Sequence, residues 1–296
     1  MPRRRTPLKH HEKQVSEETS PEALARRLED YFFKRRTGAI IAYSGGVDSS
    51  LLAYAAHRSL GNRMLAVLAD SPSLARREYG SALRFAEMHR IPLQVVQTQE
   101  LEDPLYRKNM ADRCYHCKKD LFKKLNDLKS RLEHPYGTEW PFFFGMNLDD
   151  LGDHRPGHKA AEEAGVFAPY VELGFNKECI RSVCAHYGLE EIAVKAAMPC
   201  MASRIAYGET VTAEKLLQVE KAEDLLYDLG FKVYRVRHHG SSARIEVRPE
   251  DFTLVLNKRE RILERLHALG FTYVSLDLGG FKSGSLNAVL KRKERE

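Results

Sequence analysis

Apolar residues along the chain fall into short runs that alternate with longer segments of helical period. Ala39-Ile40-Ile41-Ala42-Tyr43 is apolar throughout, β-branched at its centre and closed by a Ser/Gly turn, which predicts a buried strand. Leu51 to Ala56 then reads as helix. Met64 to Ala69 predicts a second strand ending at Asp70, residues 75–89 an amphipathic helix, and Leu93 to Val96 a third strand. Residues 118–132 have a helical pattern, and Phe142-Phe143-Phe144 predicts a further buried strand followed by a polar loop from Asn147 to Gly157. Strand and helix alternating in this way predict an α/β fold, a doubly wound, mostly parallel sheet whose strand C-termini share the edge where ligands bind.

Beyond about residue 210 the pattern changes. A helix over 213–229, strands near 231–237 and 243–247, a helix over 250–268 and a strand near 272–277 predict a small α+β domain. The boundary is expected near Gly208, giving domains 21–208 and 209–290. Residues 1–20 are polar and rich in charge, which predicts a disordered basic arm, and 291–296 form a charged tail.

With 43% hydrophobic and 30% charged residues the composition is that of a soluble globular protein. No apolar run approaches the roughly 20 residues of a membrane helix, and no apolar stretch follows Arg3, Arg4, Arg5 and Lys9 as in a secretory signal. A cytoplasmic location is expected, without membrane association. The net charge of +6 suits anionic small substrates as well as nucleic acid and does not decide between them.

The candidate chemistry begins at Ser44-Gly45-Gly46-Val47-Asp48-Ser49-Ser50, between the first strand and its helix. Glycines let backbone N–H groups approach a phosphate, and the helix end adds partial positive charge. The spacing is not that of the Walker loop, and no lysine follows. Ser-Gly-Gly-x-Asp-Ser resembles the PP-loop of the ATP pyrophosphatases, which implies ATP bound through Ser44, Gly45, Gly46, Asp48, Ser49 and Ser50 and cleaved between its α- and β-phosphates. Asp149 and Asp150, in the loop after the fourth strand, are candidate Mg²⁺ ligands, since Mg²⁺ takes one or two carboxylates plus substrate phosphates.

Five cysteines in a cytosolic chain point to packing or chemistry rather than disulfides. Cys179 and Cys184 lie in a helical pattern and are expected to pack as small apolar side chains. Cys114-Tyr115-His116-Cys117 has metal-ligand spacing, with Arg113, Lys118 and Lys119 alongside, and Cys200 follows a proline in Pro199-Cys200-Met201-Ala202-Ser203-Arg204. Three cysteines without a fourth suit a [4Fe–4S] cluster with one open iron better than a closed zinc site. Trp140, before a strand, is expected to serve packing in the core or at its rim.

These runs, together with Asn147 to Gly157, Arg237-His238-His239-Gly240 and Ala243-Arg244-Ile245-Glu246, resemble the LarE family of ATP-dependent sulfur transferases over about residues 20–290. The resemblance implies a PP-loop domain followed by a small C-terminal domain and a pyridinium dicarboxylate mononucleotide as substrate, in the making of the nickel-pincer cofactor of lactate racemase. It implies adenylation of a carboxylate with loss of pyrophosphate, then displacement of AMP by sulfur to leave a thiocarboxylate. Cys200 takes the family's sulfur-donor position and Asp48 orients the diphosphate with Mg²⁺. Cys114, Cys117 and Cys200 together imply a [4Fe–4S] cluster carrying an extra sulfide, fed by sulfide or another sulfur donor. Arg204, Arg237, Arg244 and Glu246 are implied in substrate binding, and a homo-oligomer is implied. The alternatives are sacrificial donation of the sulfur of Cys200 itself, or a PP-loop enzyme thiolating tRNA or a base; against the latter, the C-terminal domain carries no RNA-binding signature.

Overall fold

The computed structural model describes residues 19–130, 140–152, 156–196 and 198–282. The expected arm, apart from its last two residues, the expected tail and the stretch Asp153-His154-Arg155 lie outside the described residues.

Helix α1 (Pro21–Arg35) starts where Ser20 accepts a hydrogen bond from Ala23 N–H and Pro21 presets the first turn. It leads into β1 (Ala39–Tyr43), buried at every residue. Then follow α2 (Val47–Leu60), β2 (Met64–Asp70), α3 (Arg76–Met88) and β3 (Leu93–Gln97). After a short α4 (Pro104–Arg107) come α5 (Arg113–Lys129), β4 (Phe142–Phe144), α6 (Pro156–Glu163), α7 (Pro169–Leu173), α8 (Lys177–His186) and α9 (Glu190–Ala193). The four strands form a parallel sheet in the order β3-β2-β1-β4.

Alternation along β1 divides the core into two layers. Ala39, Ile41 and Tyr43 pack with α1, α2 and α8 on one face, whereas Ile40 and Ala42 pack with Phe122, Leu125 and Ala161 on the other. The sheet is therefore doubly wound, as the alternating pattern predicts. Because β2 lies on one side of β1 and β4 on the other, the strand order reverses at β1, and a crevice opens beyond its C-terminal end. Trp140 sits in the second layer, its ring filling the space a Cβ on Gly38 would take at 2.5 Å. Cys184 is fully buried in the first layer with Cys179 packed beside it, as expected of small apolar side chains.

The remainder comprises α10 (Ala213–Asp228), β5 (Tyr234–His239), β6 (Ser242–Val247), α11 (Phe252–Asn257), α12 (Arg259–Ala268) and β7 (Tyr273–Leu276). β5 and β6 pair antiparallel, β6 and β7 parallel, and Phe231, Val236, Ile245, Ile262 and Phe271 form their core. The helix expected over 250–268 is two helices broken at Lys258, and the helix expected from residue 118 begins at Arg113. The second difference matters, since it places both cysteines of Cys-x-x-Cys at the start of α5. Among the described residues no helix is long and apolar enough to cross a membrane.

The small sheet docks on the C-terminal edge of the large one. Met201 N–H donates to Ser73 O at 2.7 Å just beyond β2, and Arg77 of α3 pairs with Asp224 of α10 at 3.0 Å. Val211 N–H donates to Arg107 O at 2.9 Å. A separate apolar cluster of Ala75, Tyr106, Met201, Ala202, Ile205 and Val219 seals this seam, with Cys117 and Cys200 against it.

Candidate active site

The loop after β1 is built by its own side chains. Ser49 Oγ accepts from Ser44 N–H at 3.1 Å, meets Ser44 Oγ at 3.0 Å and donates to Gly46 O at 3.2 Å, so the turn is closed before any ligand arrives. Gly45 has φ +72°, and a Cβ there would stand 2.6 Å from Ala82 Cβ, so both backbone conformation and space demand glycine. Gly145, directly after β4, passes so close that a Cβ would be 3.1 Å from Ser49 N. The first-turn N–H groups of α2, a 14-residue helix, point out of its end toward the crevice. Ser44 is exposed and Asp48 half-buried at this mouth, whereas Ser50, expected to contact ATP, is fully buried behind it.

Asp48 is held from three directions. Its carboxylate accepts from Asn147 Nδ2 at 3.2 Å and pairs with Lys177 Nζ at 2.5 Å, and its carbonyl accepts from Tyr170 OH at 2.9 Å. A second lysine, Lys195, donates from Nζ to Gly45 O at 3.0 Å and pairs with Glu78 at 2.7 Å. Asp149 and Asp150 sit beside this group, and their carboxylates serve the local backbone. Asp149 accepts from Lys177 N–H at 2.8 Å, and Asp150 accepts from Asn147 N–H at 3.1 Å.

At the seam, the structure brings the three cysteines of interest into one neighbourhood. Cys117 and Cys200 contact the same apolar cluster, and Cys114 is close enough to Cys200 for the two thiols to interact electrostatically. Burial pushes the Cys117 thiol up to about 12; Cys114 is exposed, and desolvation by the residues crowded around it, with the nearby Cys200, raises its thiol against a lowering by Arg113. Among the described residues no three His, Cys, Asp or Glu side chains converge as ligands of a single metal ion. A four-iron cluster attaches each thiolate to a different iron, so its donors surround a volume rather than a point. Three thiols grouped at one seam, backed by the Arg113 and Lys118 charges that act on Cys114, fit that donor set.

Sequence reasoning missed Asn109, which ties this seam together. It is fully buried with φ 55°, donates from Nδ2 to Ala206 O at 2.8 Å and Ile205 O at 3.2 Å, and accepts from Arg113. Arg113 also donates to Ala202 O at 2.9 Å. The Cys-x-x-Cys helix and the Cys200 loop are thus clamped by one asparagine and one arginine. An asparagine tolerates the left-handed region better than most residues, which is the only signal it leaves in the sequence.

Of the three arginines expected to bind substrate, Arg204 and Arg237 are turned inward. Arg204 is fully buried, makes a two-pronged ion pair with Glu223 at 3.0 Å for each contact, and donates to Pro199 O and, at 3.1 Å, to Cys200 O. It therefore shapes the Cys200 loop instead of offering a charge to solution. Arg237 pairs with Glu246 through Nε and Nη2 at 3.0 and 2.9 Å and donates to Ser203 O at 3.0 Å. Arg244, half-buried, pairs with the other oxygen of Glu246 at 3.0 Å and with Asp277 at 3.3 Å. Arg235, which shares a face with Arg237 on β5, is held by burial and the neighbouring Arg204 at a pKa of about 10. Arg235, Arg237, Arg244 and Glu246 on β5 and β6 thus form a mostly buried arginine–glutamate lattice behind the Cys200 loop.

A parallel sheet reversing at β1, with a Ser/Gly loop and helix N-terminus at the reversal, defines an α/β protein of the PP-loop kind. The chain belongs to the LarE family. It is 37% identical over 259 residues, 86% of its length and 90% of the relative's, to the pyridinium-3,5-bisthiocarboxylic acid mononucleotide synthase of Lactiplantibacillus plantarum. It is 40% identical over 263 residues, 88% of its length and 96% of the relative's, to an uncharacterized protein of Synechocystis sp.. A more distant relative is one component of the glutamine-hydrolyzing GMP synthase of Methanococcus maripaludis, 27% identical over 217 residues, 69% of this chain and 66% of that one. No protein-family model matches the chain.

Proposed function

We propose that the chain is an ATP-dependent sulfur transferase that converts a carboxylate of a pyridinium dicarboxylate mononucleotide to a thiocarboxylate. The observation that carries this reading is the placement of Cys200 on the edge that bears the Ser/Gly loop. Met201 N–H is bonded to Ser73 O beyond β2, and Lys195, only five residues before Cys200, touches Gly45 O. Five residues span at most roughly 18 Å.

A carboxylate is a poor electrophile, and adenylation makes AMP its leaving group. The substrate oxygen attacks the α-phosphorus of ATP, the α–β bridge breaks, and pyrophosphate leaves with the electron pair. The first-turn N–H groups of α2 lie where that negative charge develops, so they stabilise the departing group. Asp48, paired with Lys177, is the residue that would hold Mg²⁺ against the diphosphate. The roles of Asp149 and Asp150 are to fix the backbone of Lys177 and Asn147 around it. Sulfur then attacks the carbonyl carbon, the bond to AMP breaks, and the thiocarboxylate remains.

Cys114, Cys117 and Cys200 are the residues that would hold a [4Fe–4S] cluster; when bound, it supplies sulfide as a nucleophile that can be replenished. The Cys114 and Cys117 thiols are raised toward protonation, chiefly by desolvation, so ligation releases protons and strengthens as pH rises. Asn109, Arg113 and Arg204 act as positioning residues that keep the two cysteine-bearing segments together. Arg244 is the member of the basic lattice that reaches the surface and is assigned to the substrate.

Pyrophosphate release tests the reading. With anaerobically prepared protein, ATP and Mg²⁺, release is expected to depend on the pyridinium dicarboxylate mononucleotide and to be unchanged by tRNA. Release that requires tRNA and ignores the mononucleotide would overturn it.

A further inference from the structure

The Ser44–Ser50 loop lacks the lysine that a Walker loop places at its end, so the question is which cation meets the phosphates. We propose that Lys177 and Lys195, remote in sequence, fill that role, one beside Asp48 and the other beside Gly45. This rests on the reading of the loop as the ATP site and adds the groups that hold the β- and γ-phosphates.

Three observations converge. Lys177 reaches the loop by its contact with Asp48, and its backbone is pinned by Asp149 while Asn176 caps the start of α8. Lys195 reaches it from beyond α9 through Gly45 O. Both ammonium groups are at the mouth and only partly buried, with 34% and 17% of their side chains exposed. Neither sits in a fully buried ion pair like that of Arg204 with Glu223.

Each lysine now rests on an acidic partner that ligand binding releases. Mg²⁺ taken up by Asp48 frees Lys177 to turn to a phosphate oxygen. Lys195 is balanced by Glu78 and lines a cavity of about 140 Å³ between α3 and α9, together with Gly45, Ser81, Arg84 and Glu191. Pyrophosphate carries more negative charge than one Mg²⁺ and a helix end neutralise, and two ammonium groups supply the difference. AMP, lacking both distal phosphates, does not call on them.

Calorimetric titration of the full-length protein with Mg²⁺-pyrophosphate and, separately, with AMP tests this. Lys177→Ala and Lys195→Ala are each expected to weaken pyrophosphate binding by about 10- to 100-fold while leaving AMP affinity unchanged. Glu78→Gln, which breaks the same ion pair but keeps the Lys195 ammonium, is expected to retain or tighten pyrophosphate binding. Lysine variants that bind pyrophosphate like the wild type would overturn the inference. So would an equal loss of AMP binding, or a Glu78→Gln variant as weak as Lys195→Ala, because either outcome makes the lysine a structural strut. Wild-type protein that binds neither ligand would instead refute the ATP-site reading, and the lysine roles with it.

Discussion

Cys200→Ala is expected to end thiocarboxylate formation, by roughly 10⁴-fold or more, while substrate-dependent release of pyrophosphate continues. In the proposed reaction the two half-reactions use different parts of the fold: activation is assigned to the β1–α2 loop and Asp48, sulfur delivery to the seam where Cys200 meets α5. The segment around Cys200 is held by Met201 N–H and by Arg204 on the Cys200 carbonyl, both of which alanine leaves in place. The variant should therefore accumulate the acyl-adenylate, visible by mass spectrometry after rapid quenching. The same instrument separates the two modes of donation. Cys200 recovered unchanged after several turnovers is the expected result for replenished sulfide, and Cys200 lighter by one H₂S marks sacrifice of its own sulfur. Loss of pyrophosphate release together with sulfur transfer would contradict the division of labour.

Arg204→Ala should cost about 3–5 kcal/mol of stability, read as the shift in urea midpoint at neutral pH. Its guanidinium is fully buried and satisfies both oxygens of Glu223, so truncation leaves a buried carboxylate without its counter-charge. Glu223 also accepts from Val236 N–H at 3.1 Å, which ties α10 to β5. Arg204→Met combined with Glu223→Gln removes both charges, keeps similar volume and an acceptor for Val236, and should recover most of the loss. A loss below about 1 kcal/mol in Arg204→Ala, the range of exposed pairs, would show that the lattice is solvated and that Arg204 is available to substrate after all.

Much of the architecture is legible in the residues. The run Ala39 to Tyr43 and the Ser/Gly turn after it announce a central strand closed by a tight loop, because a strand covered on both faces reads as a continuous apolar run. The helix-strand alternation gives the large sheet, and the shift of pattern after residue 210 gives the small one. Less visible is whatever depends on long-range pairing. Lys177 and Lys195 look like ordinary surface lysines, and only the fold carries them 129 and 150 residues back to the loop. Arg237 and Glu246 alternate along their strands as an exposed basic edge would, yet the docking of the small sheet buries them. Asp149 and Asp150 look like metal ligands because carboxylates in a Gly-broken loop have that pattern, and the same pattern also caps backbone N–H groups. Local period cannot distinguish these outcomes, because it does not say which surface another element will cover.

The central claim is that an adenylate formed at the β1–α2 loop lies open to sulfur at position 200. A crystal structure of the anaerobic protein with a non-hydrolysable ATP analogue and Mg²⁺ tests it most directly. The expected result places the diphosphate on the first turn of α2 and the α-phosphorus in the same cleft as Cys200 Sγ, with no side chain between them. An α-phosphate separated from Cys200 by the packed residues of the Tyr106–Met201 seam would contradict it.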